Sequence, residues 1–490
     1  MKTELRRVCV GCGLLVALSG CGGEETGEAP PTPVTPAVPT ENPAPPGETP
    51  TETPGESPSE PSPTPAPSEP VSAVETPAPE PATGCPATSI EEHLERAGTV
   101  YRPSIQGDET LDLAGSPHRF PHGMNIAENA TVTLEPCALV FVGAGRTVLV
   151  GAGALLVANG EEGRPVRFDS EATDPAPGQW HGIDFHRSSR PGSRLVHTII
   201  EDAGGATVGA AVTARNDVTV DLRHVAIRHS RMHGVRLENE ARFSDESTAL
   251  TVADSGQEDP YSAPVWFYSA SQVKTLPEGS YTGNAYDEIW VERAEVRSNA
   301  SWRNPGVRYR LNRGLAVGSD NGAVLTVAAG TTLAFSADTA LDVGTARDGA
   351  LVADGATAET PVTFVSARPV PAAGDWRGIV FGRFRSDAGV RLNHVVVSHA
   401  GAEVRNVNER NSCRTTFRAG ITILDHDLGP RVTHAVFRKL PSDAAAVLLG
   451  FRGDATDYTA AEHGNDFSAA DVTCRQNLQP EGDCPDPACR

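Results

Sequence analysis

Four histidines occupy one place in a recurring pattern. His197 and His224 stand in Leu195-x-His-x-x-Ile200 and Leu222-x-His-x-x-Ile227, and His394 and His434 in Leu392-x-His-x-x-Val397 and Val432-x-His-x-x-Phe437. Stacked imidazoles can hold a transition metal. A residue type fixed at the bend between a leucine and the next apolar run is also what a structural ladder bonding the backbone requires, and the structural ladder is the expectation. Carboxylates and arginines form a second set. Asp184 is answered on later repeats by Thr213 and Arg236, while Glu201, Asp202, Arg228 and His229 fall in a neighbouring column. A carboxylate beside an arginine could bind calcium and take a proton from a uronate, and a carboxylate pair could hydrolyse a glycosidic bond. The plainer reading is a solvated charged face. Asp184, Arg236, Glu201 and Asp202 are therefore weak catalytic candidates, because the sequence brings no Asp-Asp pair or close carboxylate triplet together. Calcium would matter only to the lyase chemistry, and no other cofactor or metal is expected.

These residues sit in a duplicated frame. Gly178-Gln-Trp-His-Gly-Ile-Asp-Phe185 followed by Arg194-Leu-Val-His is repeated as Gly374-Asp-Trp-Arg-Gly-Ile-Val-Phe381 followed by Arg391-Leu-Asn-His, offset by 196 or 197 residues. Within each copy, small-apolar-x-apolar segments such as Gly182-Ile-Asp-Phe185, Ala211-Val-Thr-Ala214 and Gly234-Val-Arg-Leu237 recur every 23 to 29 residues, and the histidine column keeps in phase with them. Alternation with period 2 and β-branched inward positions means strands, and the longer period means rungs stacked on rungs. The expected fold is all-β, a parallel β-helix with an internal duplication. Trp180 and Trp376, each preceding a Gly-Ile strand start, are expected as packing anchors rather than sugar platforms. The positions answering Asp184 in the second copy are Val380, Thr422 and Leu448. An apolar outward strip is costly in water, so the extra residues of 403–418 are expected to cover it as a flap that Cys413 could pin.

Residues 1–20 have Lys2, Arg6 and Arg7 before an apolar run too short to span a bilayer, the shape of a secretory signal. The run ends Leu18-Ser-Gly-Cys21, which resembles the lipobox of bacterial lipoproteins and implies acylation of Cys21. Gly22, rather than Asp, follows the cysteine, and by the same resemblance this implies the outer membrane or cell surface. Residues 21–84 are a Pro/Thr/Glu-rich linker, free of Lys and Arg, with too little apolar surface to order itself. Such a stalk could reach on the order of 150 Å. The formal charge of −22 and pI near 5.1 exclude nucleic acid as a partner. The expected division is 85–240 for the first β-helix copy with a short helix over 89–97 as its cap, 241–287 for an irregular connector, 288–460 for the second copy, and 461–490 for a cysteine-bearing cap or tail.

Beyond the signal and Cys21 the cysteines are Cys85, Cys137, Cys413, Cys474, Cys484 and Cys489, an even set suited to disulfides in an oxidising compartment. Cys85 with Cys137 is the expected first pair, and Cys413 with one of the last three the second. Cys474, Cys484 and Cys489 lack the partners and spacing of a zinc site.

The runs Leu325-Thr-Val-Ala-Ala-Gly-Thr-Thr-Leu-Ala-Phe335, Gly349-Ala-Leu-Val-Ala-Asp-Gly355, Pro361-Val-Thr-Phe364 and Gly374-x-Trp-x-Gly-Ile379 resemble right-handed parallel β-helix modules of the pectin-lyase-like superfamily, in the versions found in bacterial surface lipoproteins. Right-handedness is what the resemblance implies. The shared residues are turn glycines and rung-filling apolar side chains, and no catalytic signature accompanies them. The expected function is a tethered envelope module that binds, or is structural, with carbohydrate as the favoured ligand class. The alternative is a polysaccharide lyase or glycoside hydrolase, and a third reading is a passive scaffold for an envelope protein, which would leave the Val380 strip exposed.

Overall fold

Apolar residues alternate with polar ones along nearly every strand, and the inward set is fully enclosed. Ile183, Phe185, Val212, Val235, Phe267, Ile289, Leu311 and Phe335 are all at most 1% exposed. Each such burial contributes about 1.5–3 kcal/mol, and because each rung contacts only its neighbours, stability accumulates rung by rung. The structure is a computed structural model that describes residues 84–85, 90–186, 190–205, 208–257, 261–405, 416–451, 456–468 and 476–477. The signal, Cys21 and the linker up to 83 lie outside the described residues, as do Cys413, Cys474, Cys484, Cys489 and most of 461–490.

The chain is a parallel β-helix with three faces. Face 1 is a 13-stranded parallel sheet that runs the length of the coil, from Ser104–Ile105 through Gly182–Phe185, Ala210–Ala214, His233–Leu237, Val265–Ser269, Glu288–Arg293 and Arg308–Leu311 to Val436–Arg438. In the first half, faces 2 and 3 belong to one 12-stranded sheet, because the long strands Arg194–Glu201 and Thr219–Arg228 bend from one face onto the other. In the second half they are separate sheets of eight and five strands. Segment 241–287 is not an irregular connector. Leu250–Ala253 and Val265–Ser269 pair in register with the rungs before them, and Val265–Ser269 also with Glu288–Arg293 after it. Its turn-rich sequence hid strands that the stacking enforces.

The two copies do not stack in phase. Gly182–Phe185 lies on face 1, but its counterpart Ile379–Phe381 lies on face 2. Likewise Val166–Ser170 lies on face 3 and its counterpart Val362–Ser366 on face 1. The repeat distance therefore amounts to whole rungs plus one face, and the second copy is turned by that face about the coil axis. Outward residues that correspond in sequence consequently look in different directions.

Corners are made by non-glycine residues with left-handed backbone, a conformation that Asn, Asp and His tolerate best. His197 (φ 42°), His224 (53°), His394 (47°) and His434 (51°) turn the chain at the histidine column. Asn216 and Asn239 turn another corner, and the Asn239 side-chain amide donates to Asn216 Oδ1 at 3.1 Å. At the start of the coil the helix Ile90–Glu95 ends against Arg119, whose guanidinium donates to the carbonyls of Leu94 (2.7 Å), Arg96 (2.6 Å) and Ala97 (3.1 Å). Cys85 and Cys137 form a disulfide across 52 residues.

Candidate ligand-binding face

Strand register on face 1 lines up one outward residue per rung. Asp184 is followed by Thr213, Arg236, Trp266, Trp290 and Arg310. Outward pointing follows from alternation: Val265 and Phe267 flank Trp266, Ile289 and Val291 flank Trp290, and all four are fully buried in the core. Two aromatic and two cationic side chains at rung spacing bring their faces together. The Arg236 guanidinium lies 4.9 Å from the Trp266 ring centroid, and that of Arg310 lies 4.7 Å from the Trp290 ring.

A parallel outward stripe carries Arg215, Glu238, Tyr268 and Glu292. Arg236 bonds Glu238 at 3.0 Å, and Arg313 bonds Glu292 at 3.0 Å. At the rim, Tyr261, which is 66% exposed, meets Trp290 edge-on at 6.1 Å. Trp290 is only 5% exposed, while Trp266 is partly open to solvent. Behind the strip lies His233, whose Nδ1 accepts from the Ala263 backbone N–H at 3.1 Å and whose burial pushes its pKa down to about 3, so the imidazole is neutral. Arg236 Nε and Arg310 Nε have no hydrogen-bond partner, nor does Thr213 Oγ1 between Asp184 and Arg236. The arrangement offers flat ring faces flanked by fixed donors and acceptors, suited to an extended ligand with apolar and hydroxylated sides.

The residues singled out in the sequence fall in three places. Asp184 points outward on face 1 but is 8% exposed and is held by Arg215 Nε at 3.0 Å. Arg236 shares its stripe two rungs on and is engaged by Glu238 and Trp266, not by Asp184. Glu201 and Asp202 are on face 3 and its corner, away from that pair. Glu201 bonds Arg167 at 2.6 Å, and Asp202 (φ 57°) lies 3.6 Å from His229.

Face 3 does hold an Asp-Asp pair, contrary to the expectation from sequence. Asp169, opposite Glu201 in the ladder, is hydrogen-bonded side chain to side chain with Asp202. Burial, together with the neighbouring Asp202 and Glu201 charges, pushes the Asp169 carboxyl up to about 7, and burial raises Asp202 as well. The partners are 33 residues apart on successive rungs, so no local spacing announces them. An acid whose folded pKa lies above its unfolded value of 3.8 binds its proton more tightly in the folded state. Stability from this group is therefore fully present below about pH 4 and is lost as pH rises toward 7. Asp169→Asn should remove that loss: relative to wild type the variant gains roughly 2–4 kcal/mol between pH 4 and 8. Urea unfolding across that range checks it, and parallel curves for the two proteins would refute it.

The histidine column forms two ring stacks. His197 and His224 lie 4.4 Å apart with planes 2° from parallel, and His394 and His434 lie 4.5 Å apart at 17°. These distances are close to the rung spacing of a sheet. Among the described residues no group of three or more His, Cys, Asp or Glu is placed to hold a metal ion. Trp180 and Trp376 are fully buried, and their indole N–H groups donate to the carbonyls of Glu201 (2.8 Å) and Ser398 (2.9 Å). The apolar strip of the second copy is also covered. Val380 is 3% exposed and Leu448 0%, and with Val404, Ala419, Leu424 and Ala445 they form a second, outer apolar cluster. The antiparallel hairpin of Glu403–Arg405 with Thr416–Leu424 contributes to it. The exposed strip that a passive scaffold would present is not there.

Sequence reasoning missed Trp266 and Trp290. A signal existed: Val265-Trp-Phe267 and Ile289-Trp-Val291 repeat apolar-Trp-apolar at a spacing of 24 residues, one rung. No family model, no curated protein and no solved structure matches the chain.

Proposed function

We propose that this protein is a lipid-anchored module of the bacterial cell envelope, tethered by Cys21 and the 21–84 linker, that binds a carbohydrate chain along face 1. The turn-glycine motifs shared with the pectin-lyase-like superfamily and the parallel coil support the broad placement, and the lipobox-like Leu18-Ser-Gly-Cys21 supports anchorage at the outer membrane or cell surface. The observation that carries the binding reading is the outward run Arg236, Trp266, Trp290, Arg310. Sugar rings present apolar C–H faces and hydroxyl edges, and this strip supplies stacked aromatic faces edged by guanidinium and carboxylate groups. Its length along the coil suits a polymer more than a monosaccharide.

The test is retention of the full-length protein on a panel of immobilised neutral and acidic polysaccharides. The glycan that retains wild type should retain Trp266→Ala at least about tenfold more weakly, since a partly open central tryptophan is where binding energy concentrates. Retention by no member of the panel, or equal retention of the variant, would count against the reading.

The Asp169–Asp202 pair supports a second reading, a glycoside hydrolase. A carboxyl held protonated beside an ionised one is the arrangement that general acid catalysis uses. Against it, both carboxyls are buried, at 4% and 7% exposure, so a glycosidic oxygen has no open approach to them. Reducing ends or unsaturated products released by wild type and abolished in Asp169→Asn would favour the enzyme.

A further inference from the structure

Face 2 is interrupted where the first half meets the second. Its last strand there is Arg242–Phe243, the next rung replaces the strand with a 3-10 helix, Ala270–Thr275, and the face resumes at Glu295–Val296. Ser269 caps the helix, with its Oγ accepting from Ser271 N–H while Gln272 Oε1 accepts from the Ser269 backbone. A groove of about 830 Å³ lies over this break. It adjoins the candidate ligand-binding face, because Tyr268 lines the groove and stands in the outward stripe of face 1.

The charges in the groove are unequal in kind. Arg297 is taken by Glu295 and Arg313 by Glu292. Arg242, Lys274 and Arg293, from three different elements, have no carboxylate partner among the described residues, and Arg293 rests on the Tyr268 ring at 4.9 Å. The acids left in the lining are Glu240 and Asp342. Three unpaired cations gathered over one groove are unusual on a chain of formal charge −22. A lone carboxylate is satisfied by one bidentate arginine. A tetrahedral oxyanion ester brings up to two charges and three terminal oxygens, enough to engage cations from three sides.

We propose that this groove is a site for a tetrahedral oxyanion, a sulfate or phosphate ester, carried as a substituent on the chain that lies along face 1. The assignment of the carrier rests on the carbohydrate reading above, whereas the anion site itself does not. The ester would sit against Arg242, Lys274 and Arg293 while the sugar backbone continues over Tyr268 toward Trp266.

Two measurements on the full-length protein separate the claims. In the first, melting temperature is followed as sodium chloride is replaced by sodium sulfate at constant ionic strength. Binding at the groove raises the midpoint of wild type more than that of Arg242→Ala/Lys274→Ala, and equal shifts overturn the site, because general salting effects act on both proteins alike. In the second, dextran sulfate is compared with dextran of the same length. Wild type should bind the sulfated polymer at least about tenfold tighter, the double variant should lose that advantage while keeping its binding of dextran, and Trp266→Ala should weaken both. An equal loss in Arg164→Ala, on a distant turn, would show diffuse attraction and overturn the proposal. Sensitivity to sulfate alone, with Trp266→Ala unchanged on every polymer, would leave the anion site standing and sink its link to face 1.

Discussion

Replacement of Trp376 by alanine is expected to destabilise the second half of the coil by about 3–5 kcal/mol. The side chain is fully buried and stacks on Phe335 from a neighbouring rung, with centroids 4.4 Å apart and planes 7° from parallel. Its loss leaves a cavity that strands hydrogen-bonded above and below cannot close, and it strands the Ser398 carbonyl that the indole N–H satisfies at 2.9 Å. Trp376→Phe keeps the ring stack but loses the N–H, so it should cost about 1–2 kcal/mol. Because rungs are coupled only to neighbours, exchange of backbone amides should accelerate around 362–402 and stay slow near 182–228. Uniform loosening of both regions would contradict the rung-by-rung account.

Gly182→Ala carries the second large expected effect, also about 3–5 kcal/mol. Gly182 has φ +107°, and a Cβ there would lie 2.2 Å from the Ala210 carbonyl oxygen and 2.7 Å from that of Ala211. Those oxygens belong to the next rung of face 1, so the methyl group can be admitted only by parting two hydrogen-bonded strands. The counterpart Gly378, at φ +90°, would set a Cβ 2.4 Å from the Gly420 carbonyl oxygen. The same glycine is thus required in both copies although they face different ways, because the demand comes from the neighbouring rung and not from the outer surface. A chemical-denaturation midpoint for Gly182→Ala within about 1 kcal/mol of wild type would overturn this.

Those two positions show why so much of the fold was legible. Residues whose job is to stack, Gly182 and Gly378, Trp180 and Trp376, and the four histidines, face identical neighbours on every rung and so recur as visible motifs. The phase between the copies was not legible, because rung length varies with the loops and a small accumulated difference turns a whole copy by one face. Val380 was read as the position answering Asp184, which it is in sequence, but it lies on another face beneath a hairpin. The binding strip was missed for the opposite reason. Trp266 and Trp290 recur only once, inside a stretch dense in Gly, Pro and Asp, where turn signals outweighed the one-rung spacing. The Asp169–Asp202 contact joins two different strand columns, and only the stacking register brings its members together.

The five tryptophans allow the central claim to be tested optically. Trp180, Trp302 and Trp376 are core residues at no more than 1% exposure, so a ligand on the outer surface can change only the emission of Trp266 and Trp290. We would titrate the full-length protein with the best-retained polysaccharide and follow acrylamide quenching of tryptophan fluorescence. The account predicts that the quenchable fraction falls as the glycan binds, and that Trp266→Phe lacks this protection. A glycan that binds while quenching stays unchanged would place the ligand elsewhere and contradict the assignment of face 1.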